Sequence, residues 1–140
     1  MTLLDALQAA LAGEHAAVYG YGVVGARLAG GPDEAAARAG YDVHLARRDA
    51  LDGLVRAAGA EPVAAAVAYE LPGPADTPAQ ARALAADLEL GTAATYADLV
   101  AVAEAPLRAT AAGWLQDAAV RAAGWSGTAA TFPGLTERSG

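Results

Sequence analysis

Four residues able to do chemistry fall at mid-height on four helical stretches of this chain: Glu14, His44, Glu89 and Asp117. Carboxylates and imidazoles can ligate a metal ion, move a proton, or balance one another's charge in a dry interior. In "YDVHLARRD", residues 41–49, Tyr41, His44 and Arg48 follow one another at helical spacing, on a line that continues through Leu51 and Val55. That line predicts a tyrosine, a histidine and an arginine facing a hydrophobic core. Such groups need partners, because an unpaired buried charge is strongly unfavourable.

The elements that would position them are marked by their ends. Thr2-x-x-Asp5 resembles a capping box and Gly30-Gly31 is a stop signal, which bounds a first helix carrying Leu3, Leu7, Leu11, Val18, Tyr21 and Leu28, with Glu14 in the gap of that stripe. Pro32-Asp33-Glu34 opens a second helix, running to Gly59, with an imide and two carboxylates where the helix dipole favours them. Thr77, Pro78 and Gln80 open a third, with Leu84, Leu88, Thr92, Tyr96, Leu99 and Val102 on its stripe. Pro106 breaks the chain, and a fourth helix carries Leu107, Ala111, Trp114, Ala118 and Trp125. The tail from about residue 126 reads as irregular, with Phe132 against the bundle.

The 18 residues 60–77, "AEPVAAAVAYELPGPADT", lack helical persistence. Extended, such a segment reaches about 60 Å, more than the roughly 40 Å of a helix of about 27 residues. Short turns within each helix pair and one long crossover between the second and third helices predict an all-α, ferritin-like four-helix bundle spanning residues 1–140 as one domain. Gly20, Gly22 and Gly25 inside the first helix each cost about 1 kcal/mol against alanine. Close helix approach, within the bundle or across a dimer, is one reason to keep them; a kink beside a ligand is another.

Composition removes several classes of function. There is no cysteine, so thiolate catalysis and cysteine-ligated metals are excluded. The net charge is -7, and all nine basic residues are arginine, which argues against nucleic acid or anionic lipid as partner. Alanine accounts for 42 of the 140 residues, while lysine, asparagine and isoleucine are absent, the imprint of a GC-rich genome. The apolar run Ala16 to Ala26 is too short to span a bilayer, and the N-terminus lacks the pattern of a signal peptide, so a cytoplasmic protein is expected. "GWSGT" is not a nucleophile elbow, and "GYGVVG" follows no strand, so neither acyl transfer nor dinucleotide binding is supported.

The stretches "GEHAAVYGYGVVGARL", "VHLARRDAL", "AYELP" and "FPGL", with the Glu89 helix, resemble an alanine-rich ferritin-like domain family of unassigned function found in GC-rich actinobacterial genomes. The resemblance covers nearly the whole chain and implies the bundle but no activity. Ferritin-like proteins bind two iron or manganese ions through a Glu from each of two helices and a Glu-x-x-His from each of the others. By that resemblance Glu14 and Glu89 correspond to the lone glutamates. On the second helix Tyr41 replaces the glutamate while His44 remains, and on the fourth only Asp117 is present, without a histidine. His15 points about 100° away from Glu14 and compensates only if the helix rotates.

Arg48 is then expected beside His44 and the carboxylates, a permanent cation standing in for metal. The competing placement turns it outward toward Asp52, in a solvated ladder with Arg56. Three functions stay open: a non-catalytic bundle with a degenerate metal site, binding or scaffolding as a homodimer; a carboxylate-bridged iron or manganese protein using Glu14, His44, Glu89 and Asp117; and a binder of apolar ligands in a cavity left by small side chains. The first needs no cofactor, and the second needs Fe or Mn.

Overall fold

The computed structural model describes residues 1–127. Four helices occur in order, α1 (Leu3–Leu28), α2 (Glu34–Ala57), α3 (Pro78–Val102) and α4 (Leu107–Ser126), with no strand among the described residues. The expectations for the end of the tail, Phe132 and "FPGL" included, lie outside these residues. The N-terminal capping box forms in full: the backbone N–H of Asp5 donates to the Thr2 hydroxyl at 3.1 Å and that of Thr2 donates to the Asp5 carboxylate at 2.9 Å. At α3 the Thr77 hydroxyl caps Gln80, but the Gln80 side chain reaches back to Asp76 rather than to the capping residue itself. Asp33 makes no cap for α2 because its carboxylate pairs with Arg82 of α3. The two expected stops hold, with Gly30 and Gly59 at φ of 77° and 81°, a region open to glycine.

Packing follows the predicted connectivity. Leu7 and Leu11 of α1, Leu51 and Val55 of α2, and Leu99 of α3 share one apolar cluster, whereas Leu28, Ala37 and Leu84 share another. Residue numbers thus fall along α1 as they rise along α2 and α3, so α2 and α3 run parallel and the chain between them must return the length of the bundle. It does so along α1. Gln8 bonds to the backbone of Glu61 and Val63, His15 donates to the Val63 carbonyl at 3.0 Å, Tyr19 packs on Tyr69 with ring centroids 5.8 Å apart, and Arg27 donates to the Ala75 carbonyl at 3.0 Å. Two antiparallel hairpins joined by a long crossover are the result, the four-helix bundle the helix lengths imply.

The two apolar clusters are separated by a polar layer, and a third, of Ala93, Tyr96 and Ala118, flanks it. Two glycines let the helices approach at that level. A Cβ on Gly20 would lie 2.6 Å from Leu88, and one on Gly40 would collide with the Tyr21 ring. Among the described residues, Gly22 and Gly25 have nothing within 4 Å of the same position, so packing of those residues does not explain them. Gly40→Ala is expected to cost about 1–3 kcal/mol through overpacking. Gly53→Ala, exposed on the same helix, should stabilise by up to about 1 kcal/mol. Urea denaturation of both variants checks the pair, and equal effects would contradict the packing described.

Candidate functional site

The polar layer is built from one residue on each of three helices. Glu14 of α1, His44 of α2 and Glu89 of α3 are fully buried, each at the middle of its helix and on its inward stripe. The His44 ring lies between the carboxylates: Nδ1–H donates to Glu14 Oε2 at 2.5 Å and Nε2–H to Glu89 Oε1 at 2.5 Å. Both nitrogens donate when the ring is an imidazolium, the form favoured at neutral pH by a His44 pKa that, despite burial, the two acids raise to about 9. Tyr21 stacks on that ring, with centroids 5.4 Å apart, and its hydroxyl donates to Glu89 Oε2 at 3.3 Å. Trp125 of α4 closes the chain by donating to the Tyr21 oxygen at 2.9 Å.

Arg48, expected inside, lies at the surface and pairs with its neighbour Asp49 at 2.9 Å. Nor does it join Asp52, whose carboxylate bonds to Arg56 instead. Arg47 takes the inward place. Its guanidinium sits 5.4 Å from the centre of the Tyr96 ring and 5.9 Å from that of Trp114, and donates to Asp117 at 2.5 Å. The buried stripe of α2 therefore runs Ala37, Gly40, His44, Arg47, Leu51 and Val55, and differs from the expected line at two positions. Tyr41 is half-buried beside the apolar cluster rather than in the network. The signal for this register was Gly40: a bare position one turn before His44 admits the Tyr21 ring, which Tyr41 could not.

Asp117 stands on α4 but does not join the triad. Its carboxylate, about two-fifths exposed, accepts from Arg47 and from Arg121 at 3.0 Å. The structure thus brings Glu14, His44 and Glu89 together and leaves Asp117 at the rim. A two-metal centre does not fit this donor set. Both imidazole nitrogens face carboxylate oxygens rather than a shared cation position, Arg47 holds the fourth carboxylate away, and no group of three or more His, Asp or Glu among the described residues surrounds a metal-sized point. One observation pulls the other way: Glu14 Oε1 is buried with no hydrogen-bond partner among the described residues.

Charge and burial oppose each other here. Burial disfavours a charge on His44, but the hydrogen bonds to Glu14 and Glu89 outweigh it and raise its pKa to about 9. Burial also raises Glu14, by more than its bond to His44 lowers it. These directions agree: the triad keeps its protons to higher pH than the unfolded chain does. Burial and the neighbouring Glu89 push the Tyr21 phenol well above its ordinary range, so it stays a donor. At the rim, burial raises Asp117, but its bonds to Arg121 and Arg47 prevail and hold it below the usual carboxylate value.

The sign for stability follows from linkage. A His44 value of about 9, raised from 6.5, means stabilisation that is complete below pH 6.5 and is lost as the pH rises through 9. Glu14 acts in the same direction above 4.5, whereas Asp117 loses its contribution as the pH falls through its lowered value. Urea unfolding should therefore show up to about 3 kcal/mol less stability at pH 9.5 than at pH 6, and His44→Gln should flatten that slope. A flat wild-type profile would mean that the ring is neutral. Arg47→Ala is expected to cost about 3 kcal/mol and Arg48→Ala less than about 0.5 kcal/mol by the same measurement; the reverse order would restore the register read from spacing.

Comparison with known proteins adds kinship without an activity. None of the curated proteins matches the chain. A crystal structure of a conserved hypothetical protein from Mycobacterium tuberculosis is similar over 87% of this chain and 92% of that one, with 35% identity and a TM-score of 0.83. Residues 6–137 match a family model described as a domain of unknown function, DUF4439, so the chain belongs to the DUF4439 family.

Proposed function

We propose that the protein is a non-catalytic, ferritin-like four-helix module that binds or scaffolds a partner, its ancestral metal site replaced by organic cations. One observation carries the reading: both ring nitrogens of His44 are already engaged, by Glu14 and Glu89. An imidazolium between the acids and the guanidinium of Arg47 nearby supply the charge that two metal ions supply in ferritin-like proteins. The crossover topology and the carboxylates of α1 and α3 support the kinship; the absence from this layer of a carboxylate from α4 supports the loss of metal. No group in the layer is open to a substrate, since Glu14, His44 and Glu89 are fully buried.

A homodimer belongs to the same reading, with Leu90 and Val120 exposed on the second hairpin as apolar surface. So does a cytoplasmic place of action. No helix among the described residues is long and apolar enough to cross a membrane, and a net charge of -7 disfavours nucleic acid.

The decisive test is the metal content of the untagged protein after anaerobic incubation with Fe(II) and Mn(II) and desalting, read by inductively coupled plasma mass spectrometry. Metal far below one ion per chain, together with an unchanged melting temperature in chelator, is the expected result. One or two ions per chain, lost in His44→Ala, would sink the proposal and restore the iron or manganese reading.

A further inference from the structure

The buried layer holds one acceptor and one donor that no described residue answers. Glu14 is withdrawn completely from solvent, and its Oε1 has no hydrogen-bond partner among the described residues. Tyr96 is equally buried. Its hydroxyl accepts from Arg47 Nη1 at 3.5 Å, a long bond, and its own proton meets no acceptor among the described residues. A polar group left unmet in a dry interior costs at least as much as a lost hydrogen bond.

The two groups stand at one level of the bundle. A Cβ on Gly13 of α1 would lie 3.6 Å from Thr95 of α3, so those residues face each other across the interface. Glu14 and Tyr96 are the next residue on each helix, and both turn fully inward. Arg47 ties them together, since its charge is felt at Glu14 and its guanidinium reaches the Tyr96 oxygen. The inward residues one turn away on α1 and α3 include Ala10, Ala17 and Ala93, all buried, whose side chains end at Cβ. No long side chain from those three positions fills the space beside the two orphaned groups.

Charge decides what suits that place. Across the layer and its rim, Glu14, Glu89 and Asp117 are answered by the His44 imidazolium, Arg47 and Arg121. Three acids against three cations leave no net charge for an added ion to balance. An acceptor and a donor, both orphaned, are satisfied together by a molecule that gives one hydrogen bond and takes another. The smallest neutral molecule that does so is water.

We propose that one water molecule is bound inside the bundle, donating to Glu14 Oε1 and accepting from the Tyr96 hydroxyl, with Arg47 as its third partner. Water held in this way is a fixed part of a fold. It joins the triad to the Arg47–Asp117 pair. A hydrogen-bonded chain then runs from Trp125 through Tyr21, Glu89, His44 and Glu14 to the part-exposed carboxylate of Asp117. Without the water that chain ends at Glu14, inside the protein.

A crystal structure of the full chain tests the site directly. The expected result is a single peak of water density within hydrogen-bond distance, about 2.7–3.2 Å, of both Glu14 Oε1 and the Tyr96 oxygen. No density between them, or a direct bond from Tyr96 to Glu14, would overturn the proposal and leave the metal-free reading of the layer standing. An anomalous peak from a metal ion at the same point, in crystals soaked with Mn(II), would sink both. Tyr96→Phe keeps the ring on which Arg47 and Trp114 pack and removes one of the water's bonds. Oxygen-17 relaxation dispersion in solution should show a long-lived water in the wild type that exchanges about tenfold faster in Tyr96→Phe. An unchanged exchange rate, or no long-lived water in the wild type, would equally overturn it. Should Tyr96→Phe fail to fold, the crystal and the wild-type dispersion decide.

Discussion

Two carboxylates withdrawn completely from water set the terms for the rest of this bundle. Glu14 and Glu89 enter from antiparallel helices into the same layer, and no net gain from burial is available until positive charge enters with them. His44 is that charge. By donating from both ring nitrogens it converts two repelling acids into a triad, and Arg47 adds a guanidinium whose charge is felt at Glu14. Even so, one oxygen of Glu14 goes without a hydrogen bond among the described residues. The layer splits the interior into two apolar clusters, so its charge balance bears on how every helix is seated.

The rotation of α2 is a consequence of that balance. Presenting His44 to both acids requires the ring to sit between α1 and α3, and Tyr21 stacks on it from α1. The Tyr21 ring can occupy this position only because Gly40 has no side chain. Once Gly40 faces α1, the next inward position after His44 is Arg47, and Arg48 turns out to water. Tyr96 and Trp114 then receive the guanidinium on their faces and Asp117 takes its end, which draws the α4 carboxylate to the rim. A single bare position thus decides which arginine is structural and keeps the fourth carboxylate out of the triad.

The crossover has a different dependence. It buries little of its own, but it is fastened to α1 by side chains along most of that helix, from Gln8 through His15 and Tyr19 to Arg27. His15, adjacent to a central acid in sequence, is therefore a strap for the connector and not a ligand in reserve.

Much of this was legible in the sequence, because helix ends are local. Thr2, Gly30, Gly59, Thr77 and Pro106 act on backbone groups within a turn, so capping and imide chemistry alone place the four helices. The length of the segment between Gly59 and Thr77 is likewise a property of the chain, and it dictates a crossover. Mid-height placement of Glu14, His44 and Glu89 follows from those ends. What local chemistry could not resolve was rotation about the axis. Tyr41 with Arg48 and Gly40 with Arg47 both satisfy helical spacing, since each pair lies one step of three and one of four residues from His44, and those steps bracket the helical repeat. Only the arrival of Tyr21 from another helix distinguishes them, and that contact, like the diversion of Asp117 to two arginines, exists only once the helices are packed.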